Sequence, residues 1–188
     1  VAVSKTFDMA EILPLINFGH DHFGENKVQE AIEKWSEIKK DFKSIKLHMI
    51  GKLQTNKVKY TVPLFDYIHS LDNLKLAEKI SNEQLKINKR LKIFIQVNIG
   101  NENQKSGISV DRVEDFYKIC NKDLGLNIIG LMCLPPIGSN TSIYFSKMQQ
   151  LKKKINLLEL SMGMSDDYLD AIKYEATYLR IGSKIFGP

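Results

Sequence analysis

The sequence predicts an α/β fold, a single closed (β/α)8 barrel, on three observations. Eight short apolar strands recur along the chain, helical or polar stretches separate them, and no glycine-rich phosphate loop follows the first strand. Strands separated by helices pair in parallel, which leaves an open doubly wound sheet as the competing architecture. That sheet normally carries a Gly-rich dinucleotide loop after its first strand. Here Ser4-Lys5-Thr6 stands in that place, and neither GxGxxG nor GxxxxGK[ST] occurs anywhere. With 188 residues the barrel is compact, below the usual ~250.

The strands are read in order as Val1–Lys5, His22–Glu25, Leu47–Gly51, Tyr67–Leu71, Lys92–Ile99, Asn127–Leu134, Leu158–Met162 and Tyr178–Ile181. Helical spacing is clearest in Lys27–Lys40, Asn73–Ile87, Val110–Cys120, Tyr144–Ile155 and Asp167–Tyr174. Ser36, Asp111 and Asp167 are candidate cap or first-turn residues. No Pro/Gly/Ser-rich linker or change of composition divides the chain, so residues 1–188 are read as one barrel domain.

Composition narrows the function classes. With 43% hydrophobic and 26% charged residues, the chain is an ordinary globular sequence. Its longest apolar candidate, Leu126 to Ile137, is interrupted by Gly130 and Pro135 and falls short of the roughly 20 residues that span a bilayer. Lys5, Asp8 and Glu11 break any signal-peptide core. Cys120 and Cys133 are too few for a disulfide framework and wrongly spaced for structural zinc, so the expected compartment is the reducing cytosol. The net charge of +5 rests almost wholly on lysine, since only Arg90, Arg112 and Arg180 are arginines. Bidentate phosphate and base contacts favour arginine, and Lys152-Lys153-Lys154 reads as a solvated helix face. A nucleic-acid role is therefore not expected.

In this fold the chemistry lies at the C-terminal ends of the strands. The residues there are amide-rich and basic, without a Ser-His-Asp triad or a carboxylate pair. Lys5 closes an apolar strand, where a charge either reaches water or is desolvated. A desolvated lysine has a lowered pKa and can attack a carbonyl to form a Schiff base. Gly182-Ser183 follows the last strand and Ser165 follows the one before it, the two strand ends where barrels often hold phosphate. Arg180 is either a rim ion-pair partner or a donor to a heteroaromatic nitrogen or a carboxylate. His20, His22, His48 and His69 lack a carboxylate–histidine triplet, so no metal site is expected. Asp166-Asp167 reads as a helix start.

Taken together, these segments resemble the pyridoxal-phosphate homeostasis proteins. The resemblance is carried by Val1-Ala2-Val3-Ser4-Lys5-Thr6, by the HFGEN-x-VQE segment at 22–30 and by the H-x-IG-x-LQ-x-NK segment at 48–57. Asn98 with Glu102 to Gly107, Gly130-Leu131-Met132, Ser161 to Asp167 and Arg180 to Ser183 continue it in order over essentially the whole chain. It implies a barrel like the N-terminal domain of alanine racemase, fold type III of pyridoxal-phosphate proteins. It also implies pyridoxal 5′-phosphate as cofactor, attached to Lys5 as a Schiff base. Arg180 would face the pyridine nitrogen, Ser165 with the Gly182 and Ser183 amides would hold the phosphate, and Asn26, Asn98 and Met132 would line the ring. Ser161 would support Arg180. Members of the family carry a helix before the lysine strand, and that first helix is expected to be missing here. Ser183 stands where threonine is more usual, and the loop after Pro135-Pro136 is short.

The function this favours is binding of pyridoxal 5′-phosphate for storage, buffering or delivery, by a cytosolic monomer without a catalytic reaction. The expected partners are the cofactor itself and apo enzymes that accept it; neither nucleic acid nor membrane is expected. The alternative is a fold type III amino-acid racemase or decarboxylase. Such enzymes add a β-domain with catalytic groups, and none is expected here. A cofactor-free Schiff-base aldolase accounts for Lys5 but not for the phosphate loops. Lys105, in the loop after the fifth strand, is a candidate second imine partner during transfer.

Overall fold

The computed structural model describes residues 1–102 and 106–187. Seven parallel staves run in chain order: β1 (Ala2–Val3), β2 (His22–Glu25), β3 (Lys46–Met49), β4 (Tyr67–Leu71), β5 (Lys92–Asn98), β7 (Ile128–Cys133) and β8 (Glu159–Ser161). A two-residue strand, β6 (Ile108–Ser109), pairs with the C-terminal end of β5 outside that path. The eighth stave is the segment 178–181, which makes single parallel bridges to β8 through Ser161 and Tyr178 and to β1 through Ala2 and Ile181. Val3 N–H donates to the Ile181 carbonyl at 2.7 Å, and Tyr178 N–H donates to that of Leu160 at 3.0 Å. The barrel closes through this stave, so the strand ends holding Ser165, Gly182, Lys5 and Asn26 are consecutive around its mouth.

Helices cover the outside. Three were not legible from periodicity: α1 (Met9–Asn17), α4 (Val58–Leu64) and α9 (Ser183–Phe186). The first two carry internal prolines, Pro14 and Pro63, which forfeit a helical hydrogen bond and break the apolar rhythm. In α1 a capping box compensates: the Asp8 side chain accepts from Glu11 N–H at 3.1 Å, and the Glu11 carboxylate accepts from Asp8 N–H at 3.0 Å. The stretch read as one helix over Lys27–Lys40 divides into α2 (Val28–Trp35) and α3 (Ile38–Asp41). Ser36 ends α2 by donating its hydroxyl to the Ile32 carbonyl at 2.6 Å, a back-bond that competes with helix continuation. The remaining helices are α5 (Leu74–Lys86), α6 (Val113–Lys118), α7 (Thr141–Lys154) and α8 (Tyr168–Lys173). Asn73 caps α5, accepting from Leu76 N–H at 2.9 Å. Among the described residues no helix is long and apolar enough to cross a membrane.

Two cores result. Trp35, Phe23, Phe65 and Phe145 are fully buried in the large apolar cluster between sheet and helices. Tyr67, Phe94 and Met132 form a smaller cluster, with Ile129 and Tyr178 packed against it. This second core shares its space with polar rings, since His48 and His69 are both 0% exposed. Barrels usually fill their centre with branched aliphatic side chains.

Candidate functional site

At the end of β1 the chain turns sharply through Thr6, whose φ is +70°, and Lys5 projects before that turn. The Lys5 side chain is exposed, so it reaches water rather than lying in the desolvated pocket that the apolar strand allowed. Its position is set from behind by a buried carboxylate. Glu25, 0% exposed at the end of β2, accepts at Oε1 from Ser4 Oγ (2.7 Å), Trp35 Nε1 (2.9 Å) and Lys34 Nζ (3.0 Å). Lys34 Nζ also donates to the Ser4 carbonyl at 2.8 Å. Helix α2 thus clamps the backbone immediately before the lysine. The signal for this clamp in the sequence is Lys34-Trp35, nine and ten positions after Glu25.

Asn26 follows Glu25 and is partly buried, and its Oδ1 is a buried acceptor without a hydrogen-bond partner among the described residues. The end of β3 presses against it. A Cβ at Gly51 would lie 2.3 Å from the Asn26 carbonyl oxygen, so only glycine fits the H-x-IG segment here.

Across the mouth, Arg180 is 5% exposed. Its Nη1 donates to Ser161 Oγ at 2.6 Å and its Nη2 to the Cys133 carbonyl at 2.9 Å. The first contact joins Arg180 to Ser161 as the resemblance implies, and the rim ion pair is not what Arg180 makes. Burial lowers its pKa from the ordinary arginine value. No carboxylate forms an ion pair with it among the described residues, and a buried cation left so is costly. The same burial pushes the Cys133 thiol up to about 12, so it stays protonated and unreactive.

Arg180 N–H donates to the Gly163 carbonyl at 2.9 Å, tying the last stave to the loop after β8. Gly163 has φ +92°, and a Cβ there would meet that of Ala171 at 2.6 Å. Asp167 stands at the start of α8, as read, and its carboxylate braces the loop before the helix by accepting from Met164 N–H at 2.7 Å. Ser165 is held in the loop at 8% exposure. Gly182 precedes the short helix α9, and Ser183 begins it with an exposed side chain. The N–H groups of a first helical turn have no partner within the helix and point at whatever lies before it.

Two expected ring-lining residues sit differently from the rest. Met132 is 1% exposed inside the barrel cluster with Tyr67 and Phe94. Asn98 uses its amide locally, donating from Nδ2 to the Glu102 carbonyl at 2.9 Å and accepting at Oδ1 from Glu102 N–H at 3.1 Å. Lys105 lies outside the described residues. His22, His48 and His69 form a chain of hydrogen bonds that leads to Ser161, an arrangement that no spacing rule signals because each comes from a different strand.

The Lys5 amine, a guanidinium with no ion pair and an amide oxygen with no hydrogen bond among the described residues, and two small polar loops thus lie at strand ends of one barrel mouth. Such a set offers hydrogen-bond donors to an anion and an amine to a carbonyl.

Known proteins resemble this chain over its whole length. The family model for the alanine racemase N-terminal domain matches residues 1–188. The pyridoxal phosphate homeostasis protein of Aquifex aeolicus is 36% identical over 196 residues, covering all of this chain and 85% of that protein. Its counterpart in Escherichia coli is 34% identical over 196 residues, covering 100% and 84%. Among solved structures, PipY of Synechococcus elongatus with PLP bound superposes with a TM-score of 0.89 at 34% identity, over 100% of this chain and 91% of that one. An alanine racemase of Clostridium difficile shares the fold at a TM-score of 0.74 and 13% identity, over 96% of this chain and 50% of that one.

Proposed function

The chain belongs to the pyridoxal phosphate homeostasis protein family, and on that premise we propose that it binds pyridoxal 5′-phosphate reversibly for storage, buffering or delivery. It acts in the cytosol as a monomer, one barrel domain over residues 1–188, and hands the cofactor to apo enzymes without turning over a substrate. The observation that carries this reading is Arg180, a buried cation whose side chain is hydrogen-bonded, among the described residues, to a serine hydroxyl and a backbone carbonyl. A pyridine nitrogen is a neutral acceptor that such a donor matches, and the cofactor's phosphate supplies the negative charge nearby. The orphaned Asn26 Oδ1 adds a second unmatched polar atom at the same mouth.

When bound, the cofactor supplies an aldehyde, a phosphate and a heteroaromatic ring. Lys5 is the amine that holds the aldehyde carbon, with the Glu25–Lys34 clamp fixing the backbone behind it. The Ser165 hydroxyl and the Gly182 and Ser183 amides hold the phosphate, each as a charge-assisted donor. Asn26, Asn98 and Met132 border the ring. Arg180 keeps its proton, so it gives the ring nitrogen a hydrogen bond and not a charge. A ring left unprotonated is a weak electron sink, which suits holding more than turnover.

The test is transfer. Purified chain loaded with pyridoxal 5′-phosphate and freed of excess cofactor should restore activity to an apo pyridoxal-phosphate enzyme, while chain carrying Lys5→Ala should not. Failure of the unsubstituted chain to retain cofactor through gel filtration would refute the reading.

A further inference from the structure

The three barrel histidines link the lower end of the barrel to Arg180. His22 Nδ1 lies 2.8 Å from His48 Nε2, His48 Nδ1 lies 2.9 Å from His69 Nε2, and His69 Nδ1 lies 2.8 Å from Ser161 Oγ. Ser161 Oγ in turn accepts from Arg180 Nη1 at 2.6 Å. At the other end His22 Nε2 stands 3.8 Å from the Asp21 carboxylate. Aromatic rings wall this column: Tyr67 stacks on His48 with centroids 4.0 Å apart, and Phe94 on His69 at 4.4 Å.

Only one atom in this series has a fixed role. The arginine Nη1 can donate and never accept. Ser161 Oγ therefore accepts there and places its own single proton elsewhere, and the partner on its other side is His69 Nδ1. For that proton to be used, His69 Nδ1 must be bare and Nε2 must carry hydrogen. The same requirement passes to His48 and then to His22, whose Nε2–H ends beside the negative charge of Asp21. In the reverse polarity Ser161 would accept from both neighbours, and its proton would find no acceptor among the described residues. Burial lowers His48 and His69 well below the usual histidine value, so each ring is neutral with one donor and one acceptor.

We propose that His69, backed by His48 and His22, is a positioning residue for Arg180: the column locks the Ser161 hydroxyl as an acceptor and so fixes the plane in which the guanidinium presents its remaining donors. This rests on the reading that Arg180 meets the ring nitrogen of pyridoxal 5′-phosphate.

Two measurements test it. In the cofactor-free chain labelled with 15N-histidine, long-range proton–nitrogen spectra at pH 7 should show His48 and His69 protonated at Nε2 and bare at Nδ1. A proton on Nδ1 of either ring would overturn the polarity and the proposal. Binding of pyridoxal 5′-phosphate is then compared with its 1-deaza analogue, in which carbon replaces the ring nitrogen. The unsubstituted chain should prefer the natural cofactor. His69→Phe should reduce that preference by about tenfold, the size of one charge-assisted hydrogen bond. His69→Asn, whose Oδ1 stands in for the bare Nδ1, should keep it. Equal losses on both ligands in His69→Phe would mean a purely structural role and would overturn the proposal. An unsubstituted chain that binds both ligands equally would refute the reading beneath it instead, recognisable because the tautomers would be unaffected. Should His69→Phe fail to fold, the tautomers and His69→Asn decide the question.

Discussion

On the proposed reading, phosphate recognition rests on single residues whose roles separate cleanly. Ser165 would contribute a hydroxyl, while Gly182 and Ser183, at the start of α9, would contribute backbone donors. Donors to a charged acceptor are each worth about 1.5–3 kcal/mol, so two or three outweigh one reversible covalent link. Pyridoxal without its phosphate is expected to bind at least about tenfold more weakly than pyridoxal 5′-phosphate in a fluorescence titration, since ~1.4 kcal/mol is a factor of ten. Equal affinities would remove the phosphate from its role as anchor. These residues were legible because glycine and serine at two neighbouring strand ends form a local pattern. Glu25 and the histidines were not, because their meaning lies in contacts across 9 to 92 residues of sequence.

At the scale of elements, the clamp between β2 and α2 and the column through β2, β3 and β4 carry the predictions. Glu25→Ala removes one partner of a buried ion pair whose lysine side chain is only 13% exposed. Breaking such a pair costs about 3–5 kcal/mol, to be read as a lower urea midpoint with an unchanged slope. Loss below about 1 kcal/mol would show that Lys34 and Ser4 find other partners. The histidine column sets an acid limit. His48 and His69 are depressed well below their unfolded value near 6.5, so the unfolded chain binds more protons as pH falls through that value. Stability is therefore full above about pH 6.5 and declines below it, by about 1.4 kcal/mol per pH unit for each ring. Urea denaturation at pH 7 and pH 5 checks this, and His69→Phe should flatten the slope by one ring's share. Strand order and the long helices followed from periodicity, whereas α1 and α4 did not. Their prolines hide a helix that capping and packing sustain.

The whole molecule is a barrel whose last stave carries Arg180 and whose first carries Lys5, brought side by side only by closure through Ala2 and Ile181. The alternation of strand and helix made that closure readable from the sequence, and the family motifs placed the site on it. Which lysine would be held, and against what, required the pairing of strand ends. On the carrier reading, exchange of the Cα proton of alanine in deuterated water, with saturating cofactor, should stay far below about 1 per second, the slow end of ordinary enzymes. Exchange at that rate, abolished by Lys5→Ala, would make the protein an enzyme. The most direct test of the carrier account is borohydride reduction of the cofactor-loaded chain followed by peptide mapping. The account predicts a cofactor adduct on Lys5, absent in a folded Lys5→Ala variant. An adduct on Lys57 or Lys105, with Lys5 unmodified, would contradict it.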